Sequence, residues 1–407
     1  MTALVVSLGD VRVGLLHRRN EGSVFELDDD YLELANRPVL GQTFEDDPRR
    51  PYRTRQGIPS WFANLLPEGP LRALIAERAE VDQSRSFFLL RLLGDDLPGA
   101  VRVSPLDETD AKPTEQSRVQ LSASTPTRLP LRFSLAGIQL KFSAIRSDRG
   151  LTIPAQGMGG DWIVKLPHQT YDGVPENEHL MMELARGSGL TVPETRLVEP
   201  QEIEGLPDNI SLGGRLALAV RRFDRAAADR RTHIEDFAQV LGLSPRQKYK
   251  ATSYDAIARV IAATCGPRDT NEFLRRLVFV VGIGNSDAHA KNWSLIYPDG
   301  RNAHLAPAYD IVAVSQFEAA DSTLNRQLAL KLGEARVAEE VKEQTFRRLA
   351  QRAGLSEEQT TNTVRDQVQL ILAAWAERRE SSAYQANPSL VGLLDRRFAS
   401  LPLFAKT

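Results

Sequence analysis

Residues 269–292, DTNEFLRRLVFVVGIGNSDAHAKN, end an apolar run in a cluster of groups suited to proton and metal chemistry. Asp269 and Glu272 read as the cap and following acid that open a helix. From Phe273 to Ile283 the segment is apolar on nearly every face after Arg276, which predicts a buried helix. It stops at Gly284 and delivers Asn285, Ser286, Asp287, His289, Lys291 and Asn292 into one short loop. Polar groups at the end of a buried helix cost free energy unless they are paired or bind something. The spacing Asp287-x-x-x-x-Asn292 is that of phosphoryl-transfer loops, where the acid accepts a hydroxyl proton and the amide holds Mg²⁺. The same letters also fit a plain helix-ending loop whose Asp and Asn bond backbone amides.

Three further segments carry parts that such a loop would need. The chain returns after Asn292 as HLAPAYDIVAV, which places Asp310 between Tyr309 and a β-branched run. Mg²⁺ takes oxygen ligands and is usually held by one or two protein groups plus phosphate oxygens, which suits a second acid here. Capping a turn is the plainer role for the same residue. Upstream, Phe133-Ser134-Leu135-Ala136-Gly137-Ile138-Gln139-Leu140-Lys141 reads as strand, glycine, strand. A glycine among small residues lets backbone amides approach phosphate oxygens, and it equally serves an ordinary hairpin. It matches neither the Walker loop nor the G-x-G-x-x-G fingerprint. Lys165 stands on the apolar strand Trp162-Ile163-Val164-Lys165, where an ammonium can pair with phosphates and with Glu178 or Glu183 of the next helix. An edge-strand lysine snorkelling to solvent is the alternative. Taken in order, a Gly-bearing turn, strand lysine, glutamate-bearing helix, apolar strand, helical lobe, Asp-x-x-x-x-Asn loop, hairpin and final Asp are the parts of a kinase.

The elements that must position these groups give an α+β chain. Leu4 to Leu8 and Val11 to Leu16 read as strands joined at Gly9-Asp10. Helical spacing follows at Trp61, Phe62, Leu65 and Leu66, then at Phe87, Leu90 and Leu93 before Gly94. Residues 104–128 are polar and proline-bearing and read as a linker. Strands return from Leu131, a helix is predicted over 176–190, and RLALAVRRFDR forms a further strand. From about Thr232 the chain reads as mainly helical apart from the hairpin WSLIY–PDGR–NAHLAP, and it ends in a helix capped at Ser356 with Val364, Val368, Ile371 and Trp375 on one face. With 51 Lys+Arg against 53 Asp+Glu the net charge is −2, so dedicated nucleic-acid coating is not expected. A lone Cys265 excludes a disulfide scaffold. The start MTALVVSLGD reads as neither signal peptide nor membrane span, which predicts a cytoplasmic protein.

At these positions the chain resembles the HipA-family serine/threonine kinase toxins of bacterial toxin–antitoxin modules. The matching stretches are SLAGIQLKFS (134–143), IVKLP (163–167), NEHLMMELARGSGLTVPE (177–194), AVRRFDR (219–225), HIEDFAQVLGL (233–243), IGNSDAHAKNWSL (283–295) and LAPAYDI (305–311), with WFANLLPEGPLRALIAER (61–78) upstream. The resemblance implies a two-lobed, phosphoinositide-kinase-related fold with a helical C-lobe. It implies an N-terminal α/β subdomain over 1–103, a linker over 104–128, an N-lobe over 129–225 and a C-lobe over 226–407. It implies ATP and Mg²⁺, with Asp287 as catalytic base and Asn292 and Asp310 as metal ligands. Lys165 would contact phosphates beneath a loop of Ala136, Gly137, Ile138, Gln139, Leu140 and Lys141, with His289 and Lys291 beside them. Arg221, Arg222 and Phe223 would occupy the adenine hinge, with Asp224 near the ribose. Arg221 stands where the family pattern is acidic, and hinge contacts to adenine are mainly backbone. Ser134 would be the site of inactivating autophosphorylation. The implied partners are a helix-turn-helix (HipB-like) antitoxin, operator DNA through that antitoxin, and a substrate among aminoacyl-tRNA synthetases, glutamyl-tRNA synthetase first. A kinase for a lipid or small metabolite, and a non-catalytic antitoxin-binding corepressor, are the competing readings. The corepressor would not need Lys165, Asp287, Asn292 and Asp310 together.

Overall fold

Leu4, Val6 and Leu8 are buried on the first strand, which pairs with the second across the Gly9-Asp10 turn, Leu8 opposite Val11, as the alternation predicts. The structure is a computed structural model that describes residues 2–106, 140–147, 150–153, 159–168, 170–206, 210, 212–227, 230–318 and 326–405. Two compact units make up the chain, and each is discontinuous in sequence. The first comprises Met1–Leu166, Val198–Pro245 and Tyr297–Arg301, and the second Pro167–Leu197, Arg246–Ile296 and Asn302–Thr407. Among the described residues no helix is long and apolar enough to cross a membrane.

In the first unit, strands β1 (Ala3–Leu8), β2 (Val11–Arg19), β3 (Gly22–Leu27), β4 (Tyr52–Thr54) and β5 (Val101–Pro105) form an antiparallel sheet ordered β4-β3-β2-β1-β5. Short helices at Ser60–Ala63, Gly69–Arg78 and Ser86–Leu93 accompany it. Phe62 meets Phe25 and Trp61 edge-on at 4.8 and 5.1 Å between ring centroids, an arrangement that adds to the burial of the rings. A second sheet contains β6 (Lys141–Ser147), β7 (Gly150–Thr152) and β8 (Trp162–Lys165), with β8 antiparallel both to β6 and to the strand Ala217–Arg221. Leu4, Phe25 and Leu90 share one hydrophobic cluster with Phe142, Val164 and Ala219. The first hundred residues and the second sheet therefore have a common core. Residues 167–197, read from sequence with the strands on either side, belong to the second unit.

Helices Val174–Gly187, Tyr254–Thr264, Pro267–Ile283, Glu343–Ala353, Glu357–Arg378 and Pro388–Ser400 dominate the second unit. The long helix Glu357–Arg378 begins as its sequence predicts, with Ser356 Oγ accepting from the Gln359 N–H at 3.3 Å and Val364, Val368, Ile371 and Trp375 buried. Beyond Thr232 the chain is mainly helical, with two strand elements besides the hairpin read from sequence. A strand at His233–Asp236 lies in the first unit, and a second hairpin, Gln327–Leu332 with Ala335–Val337, lies in the second. Its alternation, with Leu330 and Leu332 buried and Gly333 turning at φ +60°, is a strand period that a reading for helices passes over. The helix before the catalytic-type loop also begins earlier than Asp269, at Pro267 after Gly266. Asp269 is therefore no cap, and its carboxylate accepts from His304 Nδ1 at 3.0 Å instead.

Candidate active site

The helix Pro267–Ile283 buries Phe273, Leu274 and every residue from Arg276 to Ile283, so its end is fixed by packing. Gly284 terminates it at φ +74°, and the Asn285 N–H reaches back to the Val280 carbonyl at 3.1 Å. The polar loop then folds on itself. Asn285 Oδ1 accepts from the Asp287 N–H at 3.1 Å, and Asn292 Nδ2 donates to the Asp287 carbonyl at 2.8 Å. Tyr254 Oη and Trp293 Nε1 both donate to the Ala288 carbonyl at 3.1 Å. Ala288, His289, Ala290 and Lys291 are buried, whereas the Asp287 side chain is 52 % exposed. Its carboxylate accepts from Tyr249 Oη and has His289 Nε2 at 3.8 Å. An exposed acid on a buried, hydrogen-bonded frame is a base that an incoming hydroxyl can reach.

The irregular segment after strand His304–Leu305 brings Asp310 to the same place. Tyr309 Oη donates to the Lys291 carbonyl at 2.9 Å, and Asn285 Nδ2 reaches the Asp310 carbonyl at 3.4 Å. Asn177 clamps the following residues, accepting from the Ala313 N–H at 2.8 Å and donating to Gln316 Oε1 at 2.5 Å. Asp310 itself lies at φ +58°, in the left-handed region that only Asn and Asp visit with any frequency besides glycine. Asn285, Asn292, Tyr309 and Asp310 line one small pocket. With Asn292 Nδ2 donating to the Asp287 carbonyl, its amide oxygen and the Asp310 carboxylate are two oxygen donors at the pocket of the kind that fits Mg²⁺. Among the described residues no group of three or more His, Cys, Asp or Glu could hold a metal ion.

Lys141 and Lys165, predicted separately, face each other directly in the β6–β8 register, and both are buried. Opposed residues of an antiparallel pair project on one face of the sheet. Arg222 and Asp224 belong to a buried ion cluster. Arg222 donates from Nε and Nη2 to the two Asp224 oxygens at 2.9 and 2.8 Å and from Nη1 to Ser143 Oγ at 3.0 Å and Asp96 Oδ1 at 3.3 Å. Arg225 Nη1 adds a 2.7 Å bond to Asp224 Oδ2, which also accepts from the Gly99 N–H at 2.9 Å. Burial alone would raise the Asp224 carboxyl, but the two guanidiniums hold it well below the usual carboxylate range. Arg225, buried beside Arg222, is lowered to about 10. These side chains thus lock the end of strand Ala217–Arg221 to the Asp96–Gly99 turn, while Arg221 is exposed. Leu140 continues the sheet, its carbonyl accepting from the Leu166 N–H at 2.9 Å. Ser134, Ala136, Gly137, Ile138 and Gln139 lie outside the described residues. Sequence reasoning gave no role to Asn177, Tyr249 or Tyr309, although Asn177 and Tyr309 stand in the stretches quoted above.

A profile described as the HipA N-terminal domain matches residues 4–104, and one described as the HipA-like C-terminal domain matches 133–375. The chain is 42 % identical over 391 residues to the putative kinase Y4dM of Sinorhizobium fredii, covering 94 % of this chain and 93 % of that one. It is 27 % identical over 311 residues to the serine/threonine-protein kinase toxin HipA of Shewanella oneidensis, covering 69 % and 67 %. Among solved structures, that of the Shewanella oneidensis MR-1 HipA, HipB and operator DNA complex superposes with a TM-score of 0.68 at 21 % identity, covering 99 % of this chain and all of that one. At that identity the likeness is one of fold. Matched in both domains, and by a relative along nearly its full length, the chain belongs to the HipA family.

Proposed function

We propose that this chain is an ATP- and Mg²⁺-dependent serine/threonine protein kinase acting as the toxin of a toxin–antitoxin pair. The observation that carries the reading is the second unit's loop. There an exposed Asp287 on a buried frame is tied through its carbonyl to Asn292, which shares a pocket with Asp310. Asp287 takes the proton of the substrate hydroxyl as that oxygen bonds to the γ-phosphorus. The bond from that phosphorus to the bridging oxygen breaks, and ADP leaves with the electron pair. Asn292 and Asp310 would hold Mg²⁺, which would supply neutralisation of the phosphate charge. Lys141 and Lys165, opposite one another on β6 and β8, would supply cations to the phosphates. Asp287→Asn should remove phosphoryl transfer by ~10²–10⁴-fold, the usual contribution of a general base, with Mg-ATP binding retained. Transfer at the wild-type rate would overturn the assignment.

The partners follow from the family. A HipB-like helix-turn-helix antitoxin would carry this chain to operator DNA. With a net charge of −2 the chain by itself should bind DNA weakly, because non-specific affinity comes from phosphate neutralisation. Tight operator binding by the purified chain at physiological salt would count against that arrangement. The substrate is taken as an aminoacyl-tRNA synthetase, with glutamyl-tRNA synthetase the first to try, in the bacterial cytoplasm. By the family pattern, phosphate on Ser134, which adds roughly −1.5 to −2 charges, should switch ATP binding off. Intact mass after incubation with Mg-ATP should show one phosphate, mapped to Ser134, and none on Asp287→Asn. A modified chain that binds ATP as before would sink the switch.

A further inference from the structure

Tyr249 is 39 % exposed and buries too little to serve chiefly as core. Its polar end is nonetheless specifically placed, with Oη donating to Asp287 Oδ1. Its ring stands edge-on to the buried His289 imidazole, with centroids 4.7 Å apart and planes at 83°. The backbone next to it is tied to the same loop, since the Ala290 N–H donates to the Lys248 carbonyl at 3.2 Å. Lys248 Nζ lies 5.5 Å from the Tyr249 ring centre, which adds a cation over the ring. The phenol is therefore held from its ring face, its edge and its backbone while it grips one carboxylate oxygen.

We propose that Tyr249 is a positioning residue for Asp287, fixing the rotamer in which the carboxylate meets the substrate hydroxyl. This rests on the reading of Asp287 as the base. A carboxylate offers about four lone-pair sites, so one phenol orients it without exhausting it. An exposed aspartate without such a donor samples its rotamers in water, and a base displaced by about 1 Å can cost ~10²-fold in rate. Tyr249 so placed acts on turnover through the Asp287 carboxylate, and its expected effect is on maximal rate.

The test is a double-mutant cycle of Tyr249→Phe and Asp287→Asn in the full chain. The readout is the single-turnover rate of phosphate appearing on the chain itself against Mg-ATP concentration. Tyr249→Phe keeps the ring, and an unchanged Tm verifies its folding. The expected result is a fall in maximal rate of roughly ten- to hundredfold, the scale of one lost charge-assisted hydrogen bond, with the half-saturating ATP concentration unchanged. In the Asp287→Asn background the same change should do nothing more. An unchanged maximal rate in Tyr249→Phe, with Asp287→Asn inactive, overturns the positioning role and leaves the kinase reading standing. A faster Tyr249→Phe makes the phenol an inhibitory cap and also overturns it. Full activity in Asp287→Asn, or no transfer by the wild type, removes the base assignment and this proposal with it.

Discussion

Asp310 carries two demands in one side chain, a carboxylate at the pocket and a backbone at φ +58°. Substitutions separate them. Asp310→Asn keeps a residue that tolerates the left-handed region, so its Tm should stay close to wild type while Mg-ATP affinity falls at least tenfold by calorimetry. Asp310→Ala should lose the same affinity and, in addition, about 1 kcal/mol of stability to backbone strain. Equal Mg-ATP affinity in all three proteins would remove Asp310 from the metal site. Asp96 poses the opposite case, a buried acid with no exposed face. It accepts from Arg222 Nη1 and Arg225 Nη2, both at 3.3 Å, and from Ser143 Oγ at 2.9 Å. Removing one partner of a buried ion cluster leaves uncompensated charge, so Asp96→Ala should cost about 3–5 kcal/mol in denaturant unfolding. A loss below about 1 kcal/mol would mean that Asp224 alone satisfies both guanidiniums.

At the scale of elements, Gly284 decides where the buried helix ends. An added Cβ would lie 2.5 Å from Ser315 Oγ and 2.9 Å from Arg397 Cζ, at a φ that side chains disfavour. Arg397 cannot simply withdraw, since its Nε and Nη2 donate to the Gly282 and Val281 carbonyls at 2.9 and 2.8 Å. Gly284→Ala should therefore cost about 1–3 kcal/mol and slow phosphoryl transfer, read by thermal melting and by transfer rate together. A melt and a rate at wild-type values would show the turn to be permissive. This helix stop was legible because it is local: an apolar run, then glycine, then polar residues. The Gly9-Asp10 hairpin and the Ser356 cap were legible for the same reason. Asp96 with Arg222 and Trp61 with Glu235 lie 126 and 174 positions apart, and no periodicity encodes such pairs. Hence the loop letters could be read in sequence, while Tyr249, which donates to Asp287, and Asn177, which bonds Ala313 and Gln316, come from separate segments and could not.

For the molecule as a whole, stability against pH should turn on two buried groups of one strand, His233–Asp236. Glu235 accepts from Trp61 Nε1 at 3.2 Å, the Gln42 N–H at 3.0 Å and Tyr297 Oη. Burial outweighs these donors and pushes its carboxyl up from 4.5 to about 7. His233, bonded through Nε2 to the Leu40 carbonyl at 2.8 Å, is lowered by burial from 6.5 to about 4. The signs are opposite. Glu235 keeps its proton in the fold after the unfolded chain has lost it, so its contribution is full below 4.5 and is lost as pH rises to about 7. His233 stays neutral in the fold while the unfolded chain takes up a proton, so its contribution is full above 6.5 and is lost as pH falls to about 4. Between 4.5 and 6.5 the two slopes, each at most about 1.4 kcal/mol per pH unit, offset each other. Glu235→Gln should expose the histidine slope, so that its Tm relative to wild type climbs with pH across this window. His233→Gln should expose the glutamate slope, its Tm relative to wild type falling as pH rises. Other carboxylates act alike in all three proteins and cancel in the differences. Three parallel Tm curves from pH 4.5 to 7 would show that neither group changes its proton affinity on folding.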